Sequence, residues 1–289
     1  MTRVLVTGAT GLIGRAVMPH FAALGIDAMG LTRHAAPQCI SGDLFDAVRV
    51  RAVLKSFAPT HVLHLAWDVT PGQFVHGGSN LDWVAATMMF ARAAADAGVR
   101  RFVGIGTCAE YDWSDGGATP RREDDRLATH SLYTIAKTTS QFLLAPFFAD
   151  ENISFSWARL FHLFGPGEHK SRLVGAVIDA IRHERTFVCR HGQLRRDYMA
   201  AGDIGTALAL LTLGDLQGAI NIASGVATPL GDLVRHIGDH LGRPELLDIR
   251  ADPAPGQPAV MQADVTRMRD ELGLTPRATL WQRLDALPG

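Results

Sequence analysis

The feature that most constrains this chain is its first junction. A short apolar run, Val4-Leu5-Val6, leads into Gly8-Ala9-Thr10-Gly11-Leu12-Ile13-Gly14, and an apolar-rich stretch follows. Glycines at that spacing between a strand and a helix have a physical purpose. The turn is tight, the backbone must come close to a ligand, and the helix must pack close to the strand. The helix N-terminus then offers free N–H groups and the positive end of its dipole to phosphate. Gly8, Thr10, Gly11, Leu12, Ile13 and Gly14 are therefore candidate residues for binding a dinucleotide pyrophosphate. The alternative is a glycine-rich structural turn, against which the strand before and the helix after both argue.

The next segments alternate. Residues 4–6, 28–31, 61–65 and 101–105 read as strands, and 12–24, 47–56 and 82–97 as helices. Strands apolar on both faces and separated by helices imply a parallel sheet covered on both sides. Past Phe164 the pattern is less regular, broken by Gly165-Pro166-Gly167. Helices are expected at 173–182, near Asp203 and near Leu230, with a strand at 186–188. Residues 251–258 form a proline-rich loop, and helices close the chain. The predicted division is a dinucleotide-binding domain over 1–164 and a smaller substrate lobe over 165–289, with some later elements returning to the first.

The 289 residues carry a formal net charge of -1, which gives no long-range pull toward nucleic acid or an anionic membrane. Cys39, Cys108 and Cys189 lie far apart, without metal-ligand spacing, and twelve histidines are scattered without a metal motif, so no metal is expected. With no leader or spanning pattern, the expectation is a cytoplasmic protein with free thiols.

Two further signals carry chemistry. The second strand ends in Leu31-Thr32-Arg33-His34, without the carboxylate that usually bonds a ribose 2′-hydroxyl. Arg33 suits a 2′-phosphate instead, which favours NADP, with NAD as the alternative. Downstream, Tyr133-Thr-Ile-Ala-Lys137 puts a phenol and an ammonium on one helix face. An ammonium beside a phenol lowers its pKa and makes Tyr133 a proton donor or acceptor for a carbonyl/alcohol pair. An ordinary helix face is the plainer reading, but the cofactor loop upstream argues against it.

Together, GATGLIG at residues 8–14 and YxxxK at 133–137 resemble the extended short-chain dehydrogenases/reductases, the NAD-dependent epimerase/dehydratase family, in its sugar-nucleotide-modifying branch. The resemblance implies a Rossmann-type doubly wound sheet with a smaller C-terminal lobe. It implies a catalytic triad of Thr107, Tyr133 and Lys137, since Thr107 stands four residues before Tyr111 as that family's Ser/Thr does. It assigns Asp43 and Leu44 to the adenine side and Leu65, Ala66 and Trp67 to the strand end lining the cofactor, with Tyr133 and Lys137 also touching the cofactor. Where the family's dehydratases carry Asp-Glu, this chain has Cys108-Ala109, which argues against water elimination; Glu110 reads as a structural carboxylate paired with an arginine. Arg159-Leu-Phe-His162-Leu-Phe164-Gly-Pro is similar to the RxxNxYGP segment, with His162 in place of Asn, and Arg196-Asp197 to the RDxxxxxD segment. These give substrate candidates Thr107, Cys108, His162, Lys170, Arg172 and Arg196. The implied function is reduction of a nucleotide-linked keto sugar, a 4-keto-6-deoxyhexose, with Tyr133 as proton donor. The alternatives are a sugar-nucleotide epimerase holding NAD(P) tightly and a non-catalytic dinucleotide-binding regulator. The long apolar helices at 82–97 and 131–149 imply a homodimer.

Overall fold

Val4, Leu5 and Val6 are all fully removed from water, and they face alternate sides of one sheet. The computed structural model describes residues 1–128, 130–276 and 278–287. Its strands are β1 (Arg3–Thr7), β2 (Asp27–Thr32), β3 (Cys39–Ser41), β4 (His61–His64), β5 (Arg101–Thr107), β6 (Ser154–Leu160), β7 (His162–Phe164), β8 (Phe187–Cys189), β9 (Arg195–Ala200), β10 (Gly218–Ile222), β11 (Ala227–Pro229), β12 (Leu247–Ile249) and β13 (Val260–Met261). Its helices are α1 (Leu12–Ala23), α2 (Ala47–Phe57), α3 (Ser79–Asp96), α4 (Leu132–Asp150), α5 (Leu173–Arg182), α6 (Ala201–Leu213), α7 (Leu230–His240), α8 (Thr266–Asp270) and α9 (Leu280–Asp285).

The main sheet runs β10-β6-β5-β4-β1-β2-β3, every pair parallel. The covered parallel sheet expected from the alternating runs is present, with the strand order of a doubly wound Rossmann fold. One face packs Val4, Val6, Leu63 and Val103 against Val17 and Phe21 of α1 and Ile204 and Leu208 of α6. The other packs Leu5, Val62 and Phe102 against Leu54 of α2, Phe90 of α3 and Phe148 of α4. Each such side chain contributes about 1.5–3 kcal/mol when fully buried.

Several boundaries differ from the sequence expectation. Helix α3 begins at Ser79 rather than 82, because Gly77 and Gly78 accept the first turn's N–H groups. Strand β3 was not anticipated; it is three residues long and exists by pairing with β2. Strand β10 and helix α6, although late in sequence, complete the main sheet and its cover.

The remaining later elements have a separate core of Phe164, Val174, Val177, Ile181, Tyr198, Leu233 and Val234. Strands β7, β9, β11 and β13 join in a small sheet, and β8 pairs with β12. The carboxyl ends of β1, β4 and β5 carry the glycine loop, Leu65 to Trp67, and Thr107, and β6 runs on through Phe161 into β7 of the small sheet.

Candidate active site

The glycine loop departs from the end of β1. Gly8 has φ +69°, and a Cβ there would come within 2.9 Å of the Ala66 amide nitrogen. At Gly14 a Cβ would collide with the carbonyls of Gly8 and Ala9, so only glycine lets α1 lie this close to β1. Gly11 opens outward: the Gly8 carbonyl, at 3.3 Å, is the one atom near its missing Cβ. Helix α1 starts without a side-chain cap and without an acidic residue in its first turn. Its N–H groups are therefore free to meet phosphate, and the loop fits a dinucleotide.

The next strand end is braced from below. Thr7 Oγ1 lies 2.8 Å from His64 Nδ1, and His64 Nε2 lies 3.0 Å from Thr87 Oγ1. Burial holds this imidazole neutral, its pKa down to about 3, with the Lys137 charge acting in the same direction. Thr7 Oγ1 also accepts from the Ala66 amide at 3.2 Å. Leu65, Ala66 and Trp67 are thereby set beside the glycine loop, all three half-buried. Leu44 is buried, and Asp43 accepts from the Phe45 amide at 3.0 Å, which fixes the turn after β3. Arg33 is exposed at the end of β2, and its charge helps hold the Asp68 carboxyl below its usual value, after the hydrogen bonds from Thr70 and Ser79.

Thr107 ends β5 and caps the short turn Cys108–Glu110, its hydroxyl accepting from the Ala109 amide at 3.2 Å. Tyr133 lies in the first turn of α4, where Ser131 caps the helix and the Tyr133 amide donates to the Val75 carbonyl at 3.1 Å. The Phe74 ring meets the phenol ring edge-on at 4.9 Å. Burial pushes the Tyr133 phenol up, and Glu110 and Cys108 add to this; the Thr107 hydroxyl and the Arg172 charge oppose it. Lys137 follows one turn later, buried. Its Nζ donates to the Ile105 carbonyl at 2.9 Å and lies 3.8 Å from the Trp67 ring centroid. Burial brings its pKa down to about 7, partly offset by Glu110.

The expectation that the ammonium lowers the tyrosine pKa is corrected here. The Lys137 head group is turned to Ile105 and Trp67, so desolvation dominates at Tyr133.

Residues 4–223 match the NAD dependent epimerase/dehydratase family. The chain belongs to that family. It is an NAD(P)-dependent enzyme of the extended short-chain dehydrogenase/reductase type, in the branch that modifies sugar nucleotides. It is 28% identical over 298 residues to dTDP-6-deoxy-L-talose 4-dehydrogenase (NAD(P)(+)) of Kitasatospora kifunensis, covering 96% of this chain and 92% of that protein. It is 26% identical over 302 residues to UDP-glucose 4-epimerase of Mycolicibacterium smegmatis, covering 96% and 95%. The structure of Thermus thermophilus UDP-glucose 4-epimerase in complex with NAD superimposes with a TM-score of 0.84 at 19% identity, covering 98% of this chain and 97% of that one.

This epimerase/dehydratase-family chain brings some of the substrate candidates together: the charges of Arg172 and Arg196 both act on His162. Cys108 is buried and its thiol is pushed up to about 12 by burial, so it is an inert apolar neighbour rather than a nucleophile. The His162 ring packs at a tilt against Tyr198, with ring centroids 5.3 Å apart. Burial, then the charges of Arg196 and Arg172, bring its pKa down to about 3. Its Nδ1 is buried without a hydrogen-bond partner among the described residues. Arg196 is buried and donates to the carbonyls of Arg195 and Pro258 at 2.9 and 3.0 Å, so the proline-rich loop holds it. Lys170 is exposed.

Sequence reasoning missed several neighbours. Glu168, within the 165–172 loop, accepts from the Gly175 amide in the first turn of α5, and its other oxygen is buried and unpartnered among the described residues. Burial lifts its pKa to about 7. Arg15 donates to the Thr10 carbonyl at 2.6 Å and the Gly167 carbonyl at 3.2 Å, tying the glycine loop to that segment. Trp67 Nε1 donates to Asn80 Oδ1 at 3.0 Å. The Arg15–Gly167 contact joins residues 152 apart, so no local pattern announces it.

Glu110 does pair with an arginine, as its sequence reading held. It accepts from Arg159 Nε at 2.9 Å and from the Thr107 amide at 2.9 Å. Among the described residues no helix is long and apolar enough to cross a membrane, and no cluster of His, Cys, Asp or Glu side chains is placed to hold a metal.

Proposed function

We propose that the protein is an NADP-dependent reductase of a nucleotide-linked keto sugar, a 4-keto-6-deoxyhexose. The observation that carries this reading is the meeting of Tyr133 with Thr107 at the end of β5, with Lys137 one turn further along α4. When bound, the dinucleotide supplies hydride at its nicotinamide ring. Gly8, Thr10, Gly11, Leu12, Ile13 and Gly14 hold its pyrophosphate, and Asp43, Leu44, Leu65, Ala66 and Trp67 line its remaining length. Arg33 pairs with the 2′-phosphate, and the absence of a carboxylate after β2 supports NADP over NAD.

Tyr133 gives its proton to the substrate oxygen. Its raised pKa suits it to the role of acid, because the neutral phenol is the form present across the physiological range. Thr107 hydrogen-bonds the same oxygen. The Lys137 ammonium bonds the nicotinamide ribose. Cys108 and His162 line the sugar, and Lys170, Arg172 and Arg196 supply charge for a diphosphate. Residues 165–289 act as the substrate lobe, with β10 and α6 returned to the first domain. The protein works as a cytoplasmic homodimer.

The test is a screen of NADPH oxidation against a panel of nucleotide keto sugars, with Tyr133→Phe as control. Turnover lost in that variant, with cofactor affinity kept, supports the reading. Full turnover in it removes Tyr133 from the chemistry. A second reading, sugar-nucleotide epimerase, is favoured by the likeness to the Mycolicibacterium smegmatis enzyme along almost the whole chain. An epimerase oxidises and re-reduces one carbon, so it releases no stoichiometric oxidised cofactor; a reductase does.

A further inference from the structure

Trp67 stands at the end of β4 with its indole face against Lys137, the ammonium nitrogen 3.8 Å from the ring centroid. The ring is pinned at its other edge. Its Nε1 donates to Asn80 Oδ1 at 3.0 Å. Asn80 is 1% exposed, and its amide donates to the carbonyls of Phe74 and Gly77 at 2.6 and 2.9 Å. Trp83 stacks alongside at 6.2 Å. The indole cannot swing away without releasing the anchor of the 68–78 loop.

Lys137 needs such a neighbour. An ammonium has three N–H donors, and among the described residues it forms one hydrogen bond, to the Ile105 carbonyl. Among the described residues no carboxylate lies within ion-pair distance of it. Glu110, in the turn after β5, favours the charged form without touching it. His64 on β4 is neutral, and Tyr133, one turn back on α4, is a neutral phenol. Trp157 on β6 is farther off, at 5.9 Å. The negative face of the Trp67 ring is therefore the closest compensation for the buried charge besides that carbonyl.

We propose that Trp67 is a positioning residue for Lys137, its pinned indole face holding the buried ammonium charged and against the Ile105 carbonyl at the end of β5. This rests on the proposed role of Lys137 beside Tyr133, but its test does not need turnover. The chain has three lysines, Lys55, Lys137 and Lys170, so labelling lysine with 13C at Cε gives Lys137 its own resolvable NMR titration. The wild-type midpoint is expected near neutrality, since burial brings the group to about 7. Trp67→Leu is expected to lower it by about one pH unit, a tenfold change in the protonation equilibrium. Trp67→Phe keeps an aromatic face and recovers part of that shift. In turnover, the loss of activity at high pH moves down with the same midpoint. An unmoved or raised midpoint in Trp67→Leu overturns the proposal.

Should Trp67→Leu not fold, fluorinated tryptophans placed at position 67 alone drain the ring face of charge while keeping its shape. Each added fluorine is expected to lower the Lys137 midpoint further, and a flat series overturns the proposal. The two readings fail separately: full activity in Tyr133→Phe removes the catalytic scheme and leaves the lysine titration standing. An inactive Tyr133→Phe with a flat fluorine series removes Trp67 alone.

Discussion

Glu110 and Arg159 form an ion pair of 2.9 Å with 0% and 2% of their side chains exposed. The same carboxylate accepts from Thr107 and from the Trp157 indole, and the guanidinium also reaches Tyr111, Glu123 and Gln141. The pair thus joins the turn that carries Thr107 to the neighbouring strand β6. Glu110→Gln leaves an uncompensated buried guanidinium, and the expected loss of stability is about 3–5 kcal/mol. Urea denaturation measures it. A loss below about 1 kcal/mol would show that water reaches the pair.

Glu168 makes stability depend on pH. Its folded-state pKa, about 7, lies above the ordinary carboxyl value of 4.5, so the folded chain holds this proton more tightly than the unfolded chain. The stabilisation is complete below about 4.5 and is lost as pH rises through 7. Glu168→Gln cannot ionise. The gap between variant and wild-type melting temperatures, followed from pH 5 to pH 8 (about the span of the titration), is expected to shift in favour of the variant. Parallel curves would mean that the carboxyl titrates normally.

Arg33 is the proposed reader of the 2′-phosphate. Arg33→Asp exchanges a charge-assisted partner for a repulsive one and restores an acceptor for a 2′-hydroxyl. The dissociation constant for NADPH is expected to rise about tenfold to a hundredfold, with that for NADH falling or unchanged. Fluorescence titration of both cofactors decides it. Equal loss for both would place Arg33 away from the ribose.

Helix α4 exposes Ile135, Phe142 and Leu143, at 43%, 61% and 50%, and Leu81 of the adjoining α3 is 63% exposed. Such a row of apolar residues on two packed helices suits a partner copy. Phe142→Asp is expected to convert a dimer into a 31.2 kDa monomer in light scattering. A wild-type protein that already runs as a monomer at micromolar concentration would end the dimer proposal.

Legibility in the sequence followed the range of the interaction. The 173–182 helix was read to its ends, because an apolar face repeats along it and Gly165-Pro166-Gly167 breaks the chain shortly before it. Strand β3 was not, because three residues carry no period and owe their conformation to β2. Tyr133 and Lys137 were visible as a pair one helical turn apart, but the direction of the lysine head group was not.

The sequence alone settled what depends on neighbours within about a dozen residues: the glycine loop, the alternation that makes a covered parallel sheet, and the phenol and amine on one helix face. Tertiary structure decided what depends on distant partners. It set the indole of Trp67 on Lys137, paired Glu110 with Arg159, left His162 Nδ1 without a partner among the described residues, and returned β10 to the edge of the main sheet. The reason is physical: periodicity records which face of an element is buried, while the charge state and aim of a buried polar group are set by whatever the fold packs against it.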